Sequence, residues 1–508
     1  MASASDFKEL QKQVHDEMHG AVTIIVLGAS GDLAGKKTFP AIFNLFRKGL
    51  LPENAFVTGY ARSKLDREEY VKRATQHIKL EDDDAKQKMD EFLKILDYVQ
   101  GKYDEDEAWQ NLDKHVSDSE QKRGLKNGQK NRIFYMALPP SVFLQVATGL
   151  RNNVYSKEGH NRIVIEKPFG KDLESSTNLA KDLAKLFKEE EIYRIDHYLG
   201  KEMVKNISTL RFSNIFLSPM WDCKSIDNIQ ITLKEPFGTE GRGGYFDEFN
   251  IIRDVMQNHL LQIMSLIAME KPAGTDSESI RDAKVKLLRC VKPIELKDSL
   301  LGQYVANGDK PGYKDDETVP DDSICPTFAS LVLWVDNERW KNVPFILKAG
   351  KAMDNAKVEV RIQFKEVPSG LYKNATRNEL VLRVQPGEAI YFKFNNKNPG
   401  LSYKVITTDL DLTYKDRYKD MRVPDAYEGL ILDVLRSDHS NFVRDDELDA
   451  AWKIFTPLLH TIDREHIKPE QYPYGTRGPK QLEEFTKRYG VQRDPHVPYE
   501  WPVQSVAK

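Results

Sequence analysis

Apolar and polar positions follow two different rhythms along the chain. Residues 22–27, Val-Thr-Ile-Ile-Val-Leu, form a nearly continuous apolar run. That is the pattern of a short strand buried on both faces of a parallel sheet. Residues 55–60, 132–138 and 162–166 read the same way, and the last two strands end at Pro139-Pro140 and Lys167-Pro168. Between them, stretches rich in acid and lysine predict helices running to Lys48, over 68–99 and over 173–190. Residues 113–130 are polar and contain Gly124 and Gly128, so they read as a surface excursion. Strand–helix alternation predicts a parallel sheet covered by helices, a Rossmann-like doubly wound unit.

After about residue 200 the rhythm changes. Residues 229–234, 358–365, 380–385 and 390–394 alternate apolar with polar, while 328–335 is more continuous. Period two predicts a large, mostly antiparallel sheet with one wet face. Helices are predicted beside it over 248–270, 426–435 and 447–455. The stretch from Lys468 is rich in Pro and Tyr and reads as surface coil. The fold class is therefore α/β followed by α+β. The expected division is a segment at 1–20, a Rossmann-like unit at 21–198 and an α+β unit at 199–508.

Composition narrows this picture. A chain of 508 residues is too long for one core, at roughly 100–200 residues per domain. The 75 Lys plus Arg against 78 Asp plus Glu give a net charge of −3, which argues against a general nucleic-acid binder. Small anionic ligands need only local positive charge and stay open. Cys223, Cys290 and Cys325 are odd in number and widely spaced, so reduced thiols in a cytoplasmic protein are expected. Residues 1–20 lack the apolar core of a signal peptide, and no run of about 18 apolar residues suggests a membrane span.

Candidate chemistry begins at Gly28-Ala29-Ser30-Gly31-Asp32-Leu33-Ala34-Gly35, directly after the first strand. Glycine there lets a backbone approach a pyrophosphate, and the following helix offers free N–H groups. A tight turn without a ligand would look similar. The second strand runs into Arg62 with no acid to hold ribose hydroxyls, which favours NADP over NAD. A solvated surface arginine is the other reading. Further on, Tyr193 to Glu202 concentrates Asp196, His197, Tyr198 and Lys201. If a helix starts near Asp196, His197 and Lys201 are i,i+4 neighbours able to hold a phosphoryl group. An ordinary helix cap is the alternative. His259 falls on the apolar side of the predicted 248–270 helix and reads as a satisfied core residue or a buried base. Asp254 lies off that line. No His–Glu spacing suggests a metal.

These blocks carry a resemblance. Residues 28–34, Arg162 to Gly170, Arg194 to Glu202 and Arg253 to His259 together resemble the glucose-6-phosphate dehydrogenase family, over almost the whole chain. Residues 245–249 and 343–346 point to a eukaryotic, fungal-like member. The resemblance implies hydride transfer from the anomeric carbon of glucose 6-phosphate to NADP, the first step of the oxidative pentose phosphate pathway. It implies His259 as general base, oriented by Asp196, with Lys167 close to both coenzyme and sugar. It implies His197, Tyr198 and Lys201 as phosphate ligands, and Lys351, Glu235, Asp254 and Gln385 as further sugar contacts. Residues 28–35, Arg62 and Lys167 would meet the coenzyme. Phe143 stands where some relatives have Tyr, and Ala356 where relatives of the human type have Arg. A second, structural NADP is implied at Lys348, Lys357, Arg361, Arg383, Tyr391, Lys393, Asp411, Arg477 and Trp501, with Lys348 replacing an arginine. A homodimer or homotetramer is implied as well. Two other functions fit the same residues: an oxidoreductase for another sugar phosphate, and an NADP-binding sensor or scaffold without turnover.

Overall fold

The computed structural model describes residues 4–367, 371–372, 375–419 and 421–492. The chain divides into two compact units. The first runs to Lys201 and takes in Gly274–Arg281 and Met421–Leu448. The second holds the described residues of Glu202–Ala273 and Asp282–Asp420 and those from Asp449 to Gln492.

The first unit is built on a seven-stranded sheet. Its parallel strands are β1 (Ala21–Leu27), β2 (Asn54–Ala61), β3 (Leu96–Gln100), β4 (Arg132–Met136), β5 (Asn161–Glu166) and β6 (Ile192–Ile195). The order is Phe442–Val443, β6, β5, β4, β1, β2, β3, and the short strand Phe442–Val443 is antiparallel to β6. Every residue of β1 is buried, because successive side chains feed opposite cores. Val22, Ile24 and Val26 join Phe39, Phe43, Leu430 and Val434 on one face. Ile25 and Leu27 join Trp109, Leu112, Phe143 and Val146 on the other. The strand order reverses at β1, between β4 and β2, and the glycine turn leaves the sheet at that switch point.

The second unit is built on a nine-stranded sheet. Its main strands are β7 (Ile226–Lys234), β8 (Ser299–Val305), β9 (Phe328–Trp334), β10 (Pro344–Gly350), β11 (Lys357–Phe364), β12 (Glu379–Gln385), β13 (Ala389–Lys397) and β14 (Val405–Thr413). The order is β14, β13, β12, β11, β7, β10, β9, β8 and then Glu470–Pro473. Pairing is antiparallel except for β10 with β7 and Glu470–Pro473 with β8. The mostly antiparallel sheet expected from period two is therefore present.

Four local expectations are corrected. The predicted 68–99 helix is two helices, Arg67–Thr75 and Asp83–Ile95, running straight into β3. Most of the supposed excursion at 113–130 belongs to the helix Asp106–Lys122. Its polar face conceals Glu120, buried against the Arg132 guanidinium at 2.8 and 2.9 Å. The 248–270 helix breaks at Asn250, whose φ of 56° is left-handed. Its side chain accepts from Ile252 N (2.9 Å) and Arg253 N (3.2 Å), starting a π-wound segment, Ile252–Leu260. The tail from Lys468 is not all coil, since it adds the strand Glu470–Pro473 and the helix Leu482–Lys487.

Candidate functional site

The glycine turn is shaped by its neighbours. Gly28 has φ +78°, and a Cβ there would lie 2.4 Å from the Ala137 carbonyl oxygen and 2.9 Å from Leu138 Cδ2. Only glycine fits that combination. Gly31 N donates back to Gly28 O at 2.9 Å, closing the turn. The following helix begins with a π turn, Ala34–Thr38, before settling into Phe39–Arg47.

Arg62 stands at the exposed end of β2. Its guanidinium lies 5.7 Å from the Tyr103 ring, and its carbonyl accepts from Gln100 Nε2 at 3.3 Å. Ser63 Oγ is 3.0 Å from Ser30 Oγ, tying this corner to the glycine turn. A left-handed glycine cradle, an exposed guanidinium and no carboxylate at the end of β2 suit NADP: the cradle admits a pyrophosphate and Arg62 a 2′-phosphate.

Lys167 follows β5, and the Lys167–Pro168 peptide is cis. Beneath it, Glu166 is 5 % exposed and accepts from the Tyr135 hydroxyl at 2.6 Å. Burial pushes the Glu166 carboxyl up to about 7, with Tyr135 and Lys167 opposing the rise and Asp196 adding to it.

Asp196 is buried at the end of β6, and its Oδ1 accepts from Tyr198 N at 2.9 Å. It caps a short 3-10 turn, His197–Gly200, and a separate helix starts at Glu202. The expected i,i+4 pairing of His197 with Lys201 on one helix is therefore corrected, since Lys201 is extended with φ −73° and ψ 137°. The tight turn still gathers the group: Lys201 Nζ lies 5.0 Å from the Tyr198 ring. The His197 ring is stacked on Tyr427 at 5.8 Å, 11° from parallel. Lys37 Nζ is 5.9 Å from the same Tyr427 ring and 3.8 Å from Asp425. Neither Lys37 nor Tyr427 was singled out from the sequence. Lys37 sits in the turn that follows the glycines, which was a usable signal. Tyr427 comes from a segment whose return to the first unit leaves no local mark.

In the second unit, Lys351 Nζ and Glu235 Oε2 are 2.6 Å apart. The reason is register. β7 and β10 are parallel neighbours, so the residues after them emerge side by side, and Glu235 N donates to Gly350 O at 2.9 Å. Gln385 ends β12. His259 lies on the π-wound segment and is 3 % exposed, with Asp254 half-buried on the same segment. In π winding the backbone bonds join i to i+5, so residues five apart come round to nearly the same side. Asp254 and His259 stand five residues apart on this segment. Phe143 is fully buried in an apolar cluster of the first unit, and Ala356 is exposed.

The residues expected at a second coenzyme site largely share one face of the larger sheet. The register aligns Lys348 and Glu359 across Thr232, Glu359 beside Arg383, and Tyr391 beside Asp411. Glu359 lies 3.3 Å from Lys357, 3.0 Å from Arg361 and 3.4 Å from Arg383. Glu379 pairs with Arg361 and lies 4.0 Å from Lys393. Lys348 Nζ donates to Gln230 at 3.1 Å. Burial, with Arg361, Lys234 and Arg383 nearby, pulls the Lys357 ammonium down to about 8 against the pull of Glu359. Arg477 lies 3.6 Å from Asp354, which also pairs at 2.8 Å with Lys234, the register partner of Lys357, and Trp501 lies outside the described residues.

Comparison with known proteins gives these sites a context. Residues 25–206 match the family described as glucose-6-phosphate dehydrogenase, NAD binding domain. Residues 208–501 match glucose-6-phosphate dehydrogenase, C-terminal domain. The chain is 54% identical to glucose-6-phosphate 1-dehydrogenase of Emericella nidulans over 99% of its own length and 98% of that protein. It is 54% identical to the Saccharomyces cerevisiae protein of the same name, covering 94% and 96% of the two chains. A solved glucose-6-phosphate dehydrogenase in complex with glucose 6-phosphate is 50% identical, with TM-score 0.89, covering 93% of this chain and 98% of that one. The chain belongs to the glucose-6-phosphate dehydrogenase family, and its nearness to fungal members bears out the fungal-like resemblance.

Proposed function

We propose that this protein oxidises glucose 6-phosphate at C1 to the 6-phosphogluconolactone, with NADP as the coenzyme. Relatedness over almost the whole chain, including 50% identity to a solved relative that holds glucose 6-phosphate, carries the reading. When bound, NADP supplies the acceptor for the hydride. The chain's own residues do the rest. His197, Tyr198 and Lys201 hold the phosphoryl group, and Lys37 adds a further cation on that side. Lys351 and Glu235 act as a pair. Their 2.6 Å contact keeps the lysine charge balanced, so the pair offers a donor and an acceptor to sugar hydroxyls. Asp254 and Gln385 serve the remaining hydroxyls. His259 takes the proton from the anomeric hydroxyl, and Asp196 steadies the imidazolium that forms. Lys167 adds positive charge beside the reacting carbon.

The ionic face on β10–β14 is the proposed place for a second, structural NADP. Its cations Lys348, Lys357, Arg361, Arg383 and Lys393 outnumber Glu359 and Glu379, and an anion there would restore the lowered Lys357. Measuring dinucleotide bound per chain tests this: two equivalents are expected, and one would remove the site. The family reading also makes the protein a cytoplasmic homo-oligomer. The described residues contain no helix long and apolar enough to cross a membrane, and all three cysteines are free. Exposed Phe394 and Leu410 on the outer strands supply apolar surface for self-association.

The function is tested by assaying glucose 6-phosphate, galactose 6-phosphate and glucose, each with NADP and with NAD. Fastest turnover is expected for glucose 6-phosphate with NADP. Preference for another sugar would favour the related oxidoreductase, and tight NADP binding without product would favour a sensor.

A further inference from the structure

Tyr103 lies beyond the end of β3 and belongs to none of the motifs considered so far. It is 7 % exposed, and its place is fixed from several directions. Trp109 Nε1 donates to its carbonyl at 3.1 Å, and the Trp109 ring stacks on it at 6.2 Å, 27° from parallel. The Tyr60 ring packs against it at 5.9 Å. The Tyr60 hydroxyl donates to Lys102 O at 2.9 Å. Gly101 lets the chain cross Tyr60, since a Cβ there would lie 2.3 Å from that hydroxyl. On the outer side the ring carries the Arg62 guanidinium at 5.7 Å.

We propose that Tyr103 is a positioning residue for coenzyme selectivity, a fixed aromatic platform that holds the Arg62 guanidinium ready for the adenosine 2′-phosphate. This rests on the reading of Arg62 as the 2′-phosphate ligand. An arginine at an exposed strand end has many rotamers, and ordering it on binding costs affinity. A ring held by Trp109 and Tyr60 limits that freedom through cation–π attraction and contact along the side chain. Because the carbonyl of Arg62 and the Ser63 hydroxyl are also tied down, the remaining freedom lies mainly in the Arg62 side chain. Loosening it weakens only ligands that carry the 2′-phosphate, since the pyrophosphate is held elsewhere, at the glycine turn.

The experiment titrates the full-length protein with adenosine 2′,5′-bisphosphate and, separately, with ADP. Arg62→Gln is expected to weaken the bisphosphate about ten- to a hundredfold and ADP little. Tyr103→Leu is expected to weaken the bisphosphate about two- to fivefold with ADP nearly unchanged. Tyr103→Met should behave like Tyr103→Leu, and Tyr103→Phe, which keeps the ring, should behave like the unmodified protein. If Arg62→Gln is selective but Tyr103→Leu and Tyr103→Met affect neither ligand, or both equally, the platform role is wrong. Loss of selectivity in Tyr103→Phe would overturn it too. If Arg62→Gln itself shows no selectivity, the Arg62 reading fails, and the platform role falls with it.

Discussion

Replacing Glu166 with Gln should remove a pH dependence of stability that the wild-type protein carries. Glu166 is held inside the sheet, hydrogen-bonded to Tyr135 at 2.6 Å, with the charges of Lys167 and Asp196 acting on it. Burial raises its carboxyl from 4.5 to about 7. At about 1.4 kcal/mol per pH unit, that is about 3 kcal/mol between the two protonation states. The sign follows from proton uptake. Below 4.5 the folded and unfolded chains are both protonated at this site, and its contribution to stability is fully present. Between 4.5 and about 7 the unfolded chain has released the proton and the folded chain keeps it, so stability falls as pH rises. Above about 7 the loss is complete. Glutamine has nothing to titrate and still accepts from Tyr135. Denaturant unfolding of both proteins across this range should show Glu166→Gln gaining about 3 kcal/mol relative to wild type between acid and alkaline pH. A constant difference at every pH would mean that Glu166 ionises normally, refuting the burial argument.

His439 should act in the opposite direction. Burial, with Arg281 and Arg162 nearby, lowers it to about 4, so stability is lost as pH falls from 6.5 towards 4. His439→Gln should flatten the acid side of the unfolding profile, and an unchanged acid slope would contradict this. Glu120→Ala leaves the Arg132 guanidinium buried with only Asp113, at 2.6 Å, as a carboxylate partner. It should cost about 3 kcal/mol in denaturant unfolding, and a loss under about 1 kcal/mol would show that the pair is dispensable. Gly28→Ala places a methyl group 2.4 Å from a carbonyl oxygen at positive φ. NADP affinity should fall at least about tenfold while the circular dichroism stays native, and unaltered binding would remove the glycine turn from the coenzyme site.

The strands that can be read from the sequence are those with an uninterrupted apolar signature, such as β1, β4 and β5, because burial on both faces demands it. β3 is hidden because Leu96 follows Ile95 with no breaker between helix and strand. The helix Asp106–Lys122 is hidden because its exposed face dominates, and its buried carboxylate finds a partner only through the tertiary fold. Lone residues lead in the same way. Nothing in the sequence announces that Asn250 is left-handed, yet that residue caps the π-wound segment that carries Asp254 and His259. The Glu235–Lys351 pair depends on the parallel register of β7 and β10, a long-range fact. His197 and Lys201 were identified by residue type, while the 3-10 turn that orients them was not. Chemistry-bearing residue types were thus visible locally, and their pairings were not.

The central claim is that His259 removes the proton during glucose 6-phosphate oxidation. Its most direct test is steady-state NADP reduction by wild type and His259→Asn side by side. The account predicts glucose 6-phosphate-dependent NADPH formation by wild type, with kcat about a hundred- to ten-thousandfold lower in the variant and KM for the sugar little changed. Near-normal turnover in His259→Asn, or no sugar-dependent reduction by wild type, would contradict it.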